Sequence, residues 1–518
     1  MSEPEPPTPI TRPRLDDLTE LLERLAGDRS PLDLLTDEER IRLTTAAGAL
    51  YQPDPAERRR RVKLAQRRER AERTQRHQEQ LAETGIRALR AKRVFTTPNV
   101  FPPLALGPSE PRIDANYRES VEPQHCYICK RDFFILHEFY DQLCPDCAEF
   151  NLFKRSETTD LTGRVALLTG GRVKIGYQAG IKLLRAGVRL IVTTRFPRDA
   201  ALRYAAEQDF DDWKDRLDIY GLDLRHTPSV ELFCEYLVEN TDRLDFIVNN
   251  ACQTVRRPPG FYQHMMALET AVQTTMHTAA RALVSNHEGL RGYELLSADA
   301  DASSADQPAV RRAIGPGLAK SAELSQIALL PGDEWQSGDL FPIGVLDQDL
   351  QQTDLRDRNS WRLTLAEVSS VELLETQLVN AVAPFVLNAR LKALMLRSPE
   401  RDKHIVNVSA VEGQFYRRMK TTRHPHTNMA KAALNMMTRT SAADYFADGI
   451  HMNSVDTGWV SDEDAIHIAT RKTAEQHFHP PLDIVDGAAR IVDPIIAGHA
   501  SGEHVWGQFL KDYRPTDW

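Results

Sequence analysis

Arg164-Val-Ala-Leu-Leu-Thr169 runs into Gly170-Gly171-Arg172-Val173-Lys174-Ile175-Gly176 and then into the helical stretch Tyr177–Ala186. A buried-type strand, a glycine-rich turn and a helix form the opening unit of a parallel α/β sheet. The turn lets the backbone approach an anion, with amides and the helix dipole facing it. Further apolar runs follow at Leu190–Thr194, Leu217–Tyr220, Phe246–Val248, His404–Val408 and His451–Val455, alternating with helical stretches. That alternation predicts a doubly wound parallel Rossmann sheet over residues 156–518. It is interrupted after Asn250 by a large insertion at 253–370, which holds a low-complexity tract at 297–306 and the aromatics Trp335, Phe341 and Trp361.

The chain of 518 residues is long enough for several modules. With 41% hydrophobic and 27% charged residues it is neither collagen-like nor wholly disordered. No apolar run approaches the roughly 18 residues that span a bilayer, and the first residues lack the basic and apolar regions of a secretory signal. A cytoplasmic protein without a membrane partner is therefore expected. The net charge, 65 − 74 = −9, hides an asymmetry. Glu57 to Arg93 contains twelve Arg, two Lys and five Glu, which is +9, so the remainder carries −18. This basic arm has no aromatic interleaving for base stacking, and nucleic acid is not an expected partner. It reads as a solvated helix laced with i,i+4 ion pairs, or as one that needs a partner. Residues 1–117 thus form a disordered Pro-rich start (1–14), one or two short helices over Leu15–Tyr51, and this Arg-rich arm.

Residues 118–155 form a small module. Cys126-Tyr-Ile-Cys129 is followed after fourteen residues by Cys144-Pro-Asp-Cys147. Two such knuckles let four thiolates converge on one Zn²⁺, and a closed shell of four makes the metal structural. An iron–sulfur centre and free redox thiols are the alternatives. His125 and His137 read as spare surface residues. A module this small draws much of its folding energy from the metal.

The Gly-rich turn resembles the Thr-Gly-x-x-x-Gly-x-Gly fingerprint of the short-chain dehydrogenase/reductase family. Thr169, Gly170 and Gly176 match, and Lys174 replaces the middle glycine. Gly171, Arg172 and Ile175 complete the turn. A basic residue at 174 is similar to the pteridine reductase branch, where it contacts a phosphate of NADPH. Arg195 ends the second strand where an acidic residue would select NAD, so NADP(H) is the expected cofactor. The resemblance extends over about 161–252 and 371–515. It implies that Asp223 contacts the adenine and that Asn250 and Ala251 follow the fourth strand. Asn380, Ser409 and Lys431 are active-site residues on the same grounds, and Thr457 and Gly458 close over the nicotinamide. Cys252 stands where the family has glycine and reads as a buried small residue.

The family's acid, a Tyr four residues before the Lys, is Thr427 here. A Thr hydroxyl is too weak an acid for that role. The segment from Ser409 to Lys431 is longer than in the family and contains Tyr416, Lys420, His424 and His426. Tyr416 is the favoured replacement, and His426 the second. The insertion, leaving the end of the fourth strand, is expected to lie beside the nicotinamide as a substrate lid or a docking surface. Its Asp347, Asp349, Asp354 and Asp357 do not match a calcium loop and read as turn or surface groups.

Two functions stay open at this stage. One is an NADP-dependent oxidoreductase acting on a carbonyl, alcohol or imine. The other is a catalytically silent nucleotide-binding adaptor that assembles through the zinc module and the basic arm, a role that paired knuckles in docking fingers also suggest. Homo-oligomerisation and a protein partner through the zinc module or the arm are open on the same grounds.

Overall fold

The computed structural model describes residues 11–51, 55–98, 119–271, 276–287, 321–333, 339–416 and 420–518. The tract at 297–306 and Trp335 lie outside the described residues, as do residues 1–10 of the Pro-rich start. The chain divides into two compact units, residues 1–77 and 78–518.

The first unit is helical. Helices Arg12–Gly27 and Asp37–Tyr51 flank a short 3₁₀ turn at Ser30–Leu34. The first helix begins inside the stretch expected to be disordered. Pro13 sits in its opening turn, where the missing N–H costs nothing. The basic arm forms the helix Pro55–Ala82, and Arg68 pairs with Glu72 at 3.0 Å across one turn.

In the second unit, the small module opens with an antiparallel pair, β1 (Glu119–His125) and β2 (Asp132–Ile135). The helix Pro145–Ser156 follows, with Cys144 at its N-cap. The main sheet contains β3 (Val165–Thr169), β4 (Arg189–Thr194), β5 (Leu217–Gly221), β6 (Phe246–Asn249), β7 (Lys403–Ser409), β8 (Ile450–Asp456), β9 (Phe509–Lys511) and β10 (Arg514–Thr516). Their order is β10-β9-β8-β7-β6-β3-β4-β5. All pairs are parallel except β10 on β9, which closes one edge with an antiparallel turn-back.

Alternate residues of each strand point to opposite faces, and both faces are covered, so the strands are apolar throughout. Ala166, Leu168, Leu190, Val192 and Val406 pack under helices Lys174–Arg185, Pro197–Ala205 and Ile484–Ser501. Leu167, Ile191, Ile247 and Ile405 pack under helices Thr227–Asn240, Ala383–Met395 and Pro425–Ala447. The helical run Ser370–Met395 is long and apolar enough to cross a membrane by length and composition. Here Leu387, Leu391, Leu394 and Met395 are buried in the second of these layers. Strand order reverses between β3 and β6, which places a crevice at the carboxyl ends of the strands there.

Candidate active site

A crevice of about 1230 Å³ opens at that switch point. Ligand pockets typically enclose roughly 300–1,000 Å³, so the space is ample for a dinucleotide with a small co-substrate. Its floor is the turn after β3. Gly170 adopts φ +70°, and a Cβ there would come within 2.8 Å of Ala251 Cα. A Cβ on Gly176 would meet Gly170 O and Asn250 Nδ2 at 2.3 Å each. Gly171 is hemmed in by Val192 Cγ1, 2.9 Å from its would-be Cβ. Thr169 Oγ1 accepts the amides of Asn250 (3.1 Å) and Ala251 (3.0 Å), and Asn250 Nδ2 donates to Thr169 O at 3.0 Å. The turn and the end of β6 are thereby one rigid piece, leaving the backbone open to an anion. Ile175 lines the crevice and also packs against the small module.

Lys174 keeps the left-handed backbone of the glycine it replaces, at φ +55°. Such a conformation costs a non-glycine residue on the order of 1–3 kcal/mol. Its ammonium faces Glu463, Asp349 and Asp347; Glu463 first, then the other two, raise its pKa against the effect of burial. Asp349 is partly buried, and its desolvation pushes its carboxyl up to about 6. Arg195 lines the crevice at the end of β4, where its guanidinium donates to Tyr262 Oη at 2.6 Å and lies 4.5 Å over that ring. Arg172 turns its guanidinium to Asp199 at 2.7 Å, so its charge is already paired. Asp223 is likewise held by Arg225, which also reaches Glu375 at 2.8 Å. Burial opposes ionisation of Asp223, but Arg225 keeps its carboxyl below the usual range.

The other end of the crevice holds Ser409, Thr427, Lys431, Thr457 and Gly458. Ser409 Oγ and Thr427 Oγ1 are buried without a hydrogen-bond partner among the described residues. Lys431 Nζ donates to Val408 O at 2.8 Å. Asn380 lies in a π-helical turn, Leu378–Val382, that interrupts the helical run. Its side chain accepts the Gln253 amide (2.7 Å) and donates to Gln253 O (3.1 Å), fixing the start of the insertion.

The two nominated acids do not reach this place. Tyr416 is 89% exposed and is not among the residues that line the crevice. His426 is buried, but it faces Glu372 of the helix Ser370–Gln377 at 3.5 Å instead of the crevice. His424 does line the crevice. It caps the helix with φ +41° and stacks on Trp361 at 3.8 Å, while its Nδ1 lies 3.1 Å from Asn428 Oδ1. Burial lowers its pKa.

Other expectations also shift. Cys252 is exposed and lines the crevice, with Sγ 3.6 Å from Thr254 Oγ1, because β6 has ended before it. Asp354 is a turn group, accepting the Arg356 amide at 3.1 Å, but not a surface one: it pairs with Arg257 and, at 2.7 Å, with Arg356. The insertion lies along much of the crevice, from Tyr262 beside Arg195 to Trp361 beside His424. Tyr127 and Asp456 also line the crevice, although neither was expected as a site residue. Asp456 is the register partner of Ser409, accepts the amides of Val411 and Gly458 at 2.8 Å each, and has its pKa raised by burial.

In the small module, Cys126, Cys129, Cys144 and Cys147 bring their sulfurs within 4.8 Å of one another, and Cys129 Sγ lies 3.6 Å from Cys144 Sγ. Tetrahedral Zn–S bonds of about 2.3 Å set sulfurs roughly 3.8 Å apart, so the donor set fits the ion. Burial resists ionisation of Cys129, but hydrogen bonds led by Arg131 bring its thiol down to about 6. His125 is exposed beside Asp132, whereas His137 is buried with Nε2 3.3 Å from Glu149. The module's core, with Phe133, Leu136, Tyr140 and Leu143, is continuous with Val460 and Leu482. Arg155 binds Asp483 through two contacts of 2.6 and 2.7 Å, and Tyr140 donates to Asp486 at 2.5 Å. Trp459 N–H donates to Tyr127 Oη at 3.0 Å, and Gln142 Nε2 donates to His479 O at 2.9 Å. The module therefore grips the segment 458–483 at both ends.

The family model described as short chain dehydrogenase matches residues 164–289, and that described as Enoyl-(Acyl carrier protein) reductase matches residues 359–482. With the fold and the two ends of the crevice in place, the chain belongs to the short-chain dehydrogenase/reductase family. It is 28% identical over 406 residues to an uncharacterized protein of Acanthamoeba polyphaga mimivirus, covering 76% of this chain and 75% of that one. It is 34% identical over 98 residues to the short chain dehydrogenase/reductase dpchH of Colletotrichum higginsianum, covering 18% of this chain and 24% of the relative. Among solved structures, RhlG of Pseudomonas aeruginosa with NADP is similar at 16% identity and a TM-score of 0.39, covering 68% of this chain and 95% of that one.

Proposed function

We propose that this protein is an NADP(H)-dependent oxidoreductase acting on a carbonyl, alcohol or imine. The observation that carries the reading is the crevice itself. A glycine-lined turn that no side chain can enter lies on its floor, Arg195 lies at the end of β4, and Ser409 with Lys431 lies at the other end. The glycines accommodate the pyrophosphate against the helix Lys174–Arg185, and Arg195 takes the 2′-phosphate. When bound, the nicotinamide supplies or accepts a hydride. Lys431, which the family uses to hold the nicotinamide ribose, is fixed by the Val408 carbonyl. The unpartnered hydroxyls of Ser409 and Thr427 bind the substrate oxygen. His424 exchanges its proton, as the imidazole one helical turn before Thr427 that faces the crevice. Burial keeps it neutral, suited to taking a proton from an alcohol and returning it to a carbonyl.

In the same reading, the four cysteines hold one structural Zn²⁺. The module braces the segment 458–483, which follows the family's nicotinamide-closing residues. The pairing of both module edges with that segment supports this role over a freely presented docking finger.

Calorimetry with NADPH and NADH tests the cofactor. NADPH is expected to bind more tightly, and Arg195→Ala to lose about tenfold or more in NADPH affinity, since a charge-assisted contact contributes about 1.5–3 kcal/mol. Equal affinity for the two nucleotides overturns the assignment. Failure of every carbonyl, alcohol and imine tried to change the nucleotide's redox state favours the silent adaptor.

A further inference from the structure

Four histidines meet at the end of the sheet away from the crevice. His404 and His451 are register partners near the starts of β7 and β8, whereas the crevice lies at the strands' carboxyl ends. His499 is in the last turn of the helix Ile484–Ser501, and His504 follows in the loop leading to β9. Their ring centroids lie 4.9 to 5.8 Å apart among the pairs that include His404 or His504. His404 is fully buried.

The protons of this cluster do not satisfy its nitrogens. A carbonyl only accepts, so His499 Nδ1, 2.9 Å from Ile495 O, carries its proton, and Nε2 is left as a lone pair. That Nε2 is buried and makes no hydrogen bond among the described residues; Asp402 Oδ2 lies 3.5 Å from it. His451 Nδ1 donates to Lys403 O at 3.1 Å in the same way. His404 Nε2 and His504 Nδ1, 2.9 Å apart, share a single proton, and His404 Nδ1 is buried without a hydrogen-bond partner among the described residues. Gly498 completes the setting: a Cβ there would come within 2.6 Å of His504 Nδ1 and 3.2 Å of His404 Nε2. A glycine is unfavourable inside a helix, and here it leaves room for the rings.

We propose that His404, His499 and His504 bind a borderline transition-metal ion such as Zn²⁺ at the base of the sheet, as a site separate from the four cysteines. One ring nitrogen from each lies within 4.8 Å of the other two. Metal–nitrogen bonds of about 2.0–2.1 Å in a tetrahedron place nitrogens roughly 3.4 Å apart, so the nitrogens are already close to the spacing an ion requires. A carbonyl-anchored Nδ1–H, as on His499, is the outer contact that orients a ligating imidazole and raises its basicity. Three neutral imidazoles select Zn²⁺, Co²⁺ or Ni²⁺ over Mg²⁺ or Ca²⁺. The fourth position falls to a water or to Asp402 Oδ2, a carboxylate otherwise held by Arg164 at 2.6 Å. The ion would tie β7, the end of the helix Ile484–Ser501 and the loop to β9.

The test is the metal content of the full chain after equilibration with Zn²⁺ and removal of free ion, compared with His499→Gln/His504→Gln and with Cys144→Ser. The double variant is expected to lose one equivalent per chain while the four cysteines keep theirs. His504→Asn alone alters only a loop residue and should weaken retention in the same direction if the double variant fails to fold. In Co²⁺-loaded protein, the histidine site should contribute visible absorption without the thiolate charge-transfer band, and this should survive Cys144→Ser. Unchanged stoichiometry in both histidine variants overturns the proposal.

Discussion

The two ends of the crevice are built on opposite principles. From Val165 to Arg185 the site is made of backbone: glycines at 170, 171 and 176, a helix N-terminus and a threonine hydroxyl that clamps two amides. From Ser409 to Lys431 it is made of side chains, which different parts of the fold can supply. The first end keeps its family's residues almost unchanged because few residue types meet its steric demands. Where it does change, at Lys174, the backbone still adopts the left-handed conformation of the glycine replaced. The second end has lost its tyrosine without losing the hydroxyl of Ser409 or the ammonium of Lys431. A backbone-built site tolerates little substitution, whereas a proton-transfer site tolerates any replacement that brings a titratable group to the same space.

This contrast can be broken most decisively at His424. His424→Gln should lower turnover by about 10²–10⁴, the usual contribution of a general acid–base, while NADPH affinity stays unchanged. In the wild-type protein, alcohol oxidation should rise with pH through a value below 6.5, as the imidazole loses its proton, and then level off. That limb should be absent in the variant. An unchanged rate and pH profile in His424→Gln would return the search to the other hydroxyls of the crevice, Tyr127 first.

The backbone-built end predicts a different failure. Gly176→Ala places a methyl 2.3 Å from a fixed carbonyl oxygen. Overpacking of this kind costs about 1–3 kcal/mol, so NADPH should bind roughly 5- to 150-fold more weakly. Turnover at saturating nucleotide should fall far less. Equal affinity of Gly176→Ala and wild type in calorimetry contradicts the packing argument.

A smaller effect sharpens the role of the insertion. Tyr262→Phe removes the phenol oxygen that Arg195 contacts at 2.6 Å but keeps the ring beneath the guanidinium. A single hydrogen bond contributes about 0.5–1.5 kcal/mol, so NADPH affinity should fall about two- to tenfold, with NADH binding unaffected. Equal loss for both nucleotides would mean that Tyr262 supports the crevice generally instead of aiming Arg195.

Much of this protein is decided locally. Six strands of the sheet fall within one residue of their apolar runs, because strands covered on both faces must be continuously apolar. The Gly170–Gly176 turn and the paired cysteine knuckles are equally legible, since each encodes a steric or ligand requirement at fixed spacing. The short strands β9 and β10 were not, having too few residues to carry a pattern. Tyr416 and His426 had the right chemistry at the right sequence distance, yet one faces solvent and the other faces Glu372. Side-chain direction on a loop or helix depends on what packs against it, and nothing local records that. The same holds for Tyr127, which reaches the crevice from a module that precedes the sheet, and for four histidines from two strands, a helix and a loop. The sequence determined the elements and the backbone cradle, whose constraints are short-range. Only the tertiary structure decided which distant side chains share one space, because that depends on the docking of elements hundreds of residues apart.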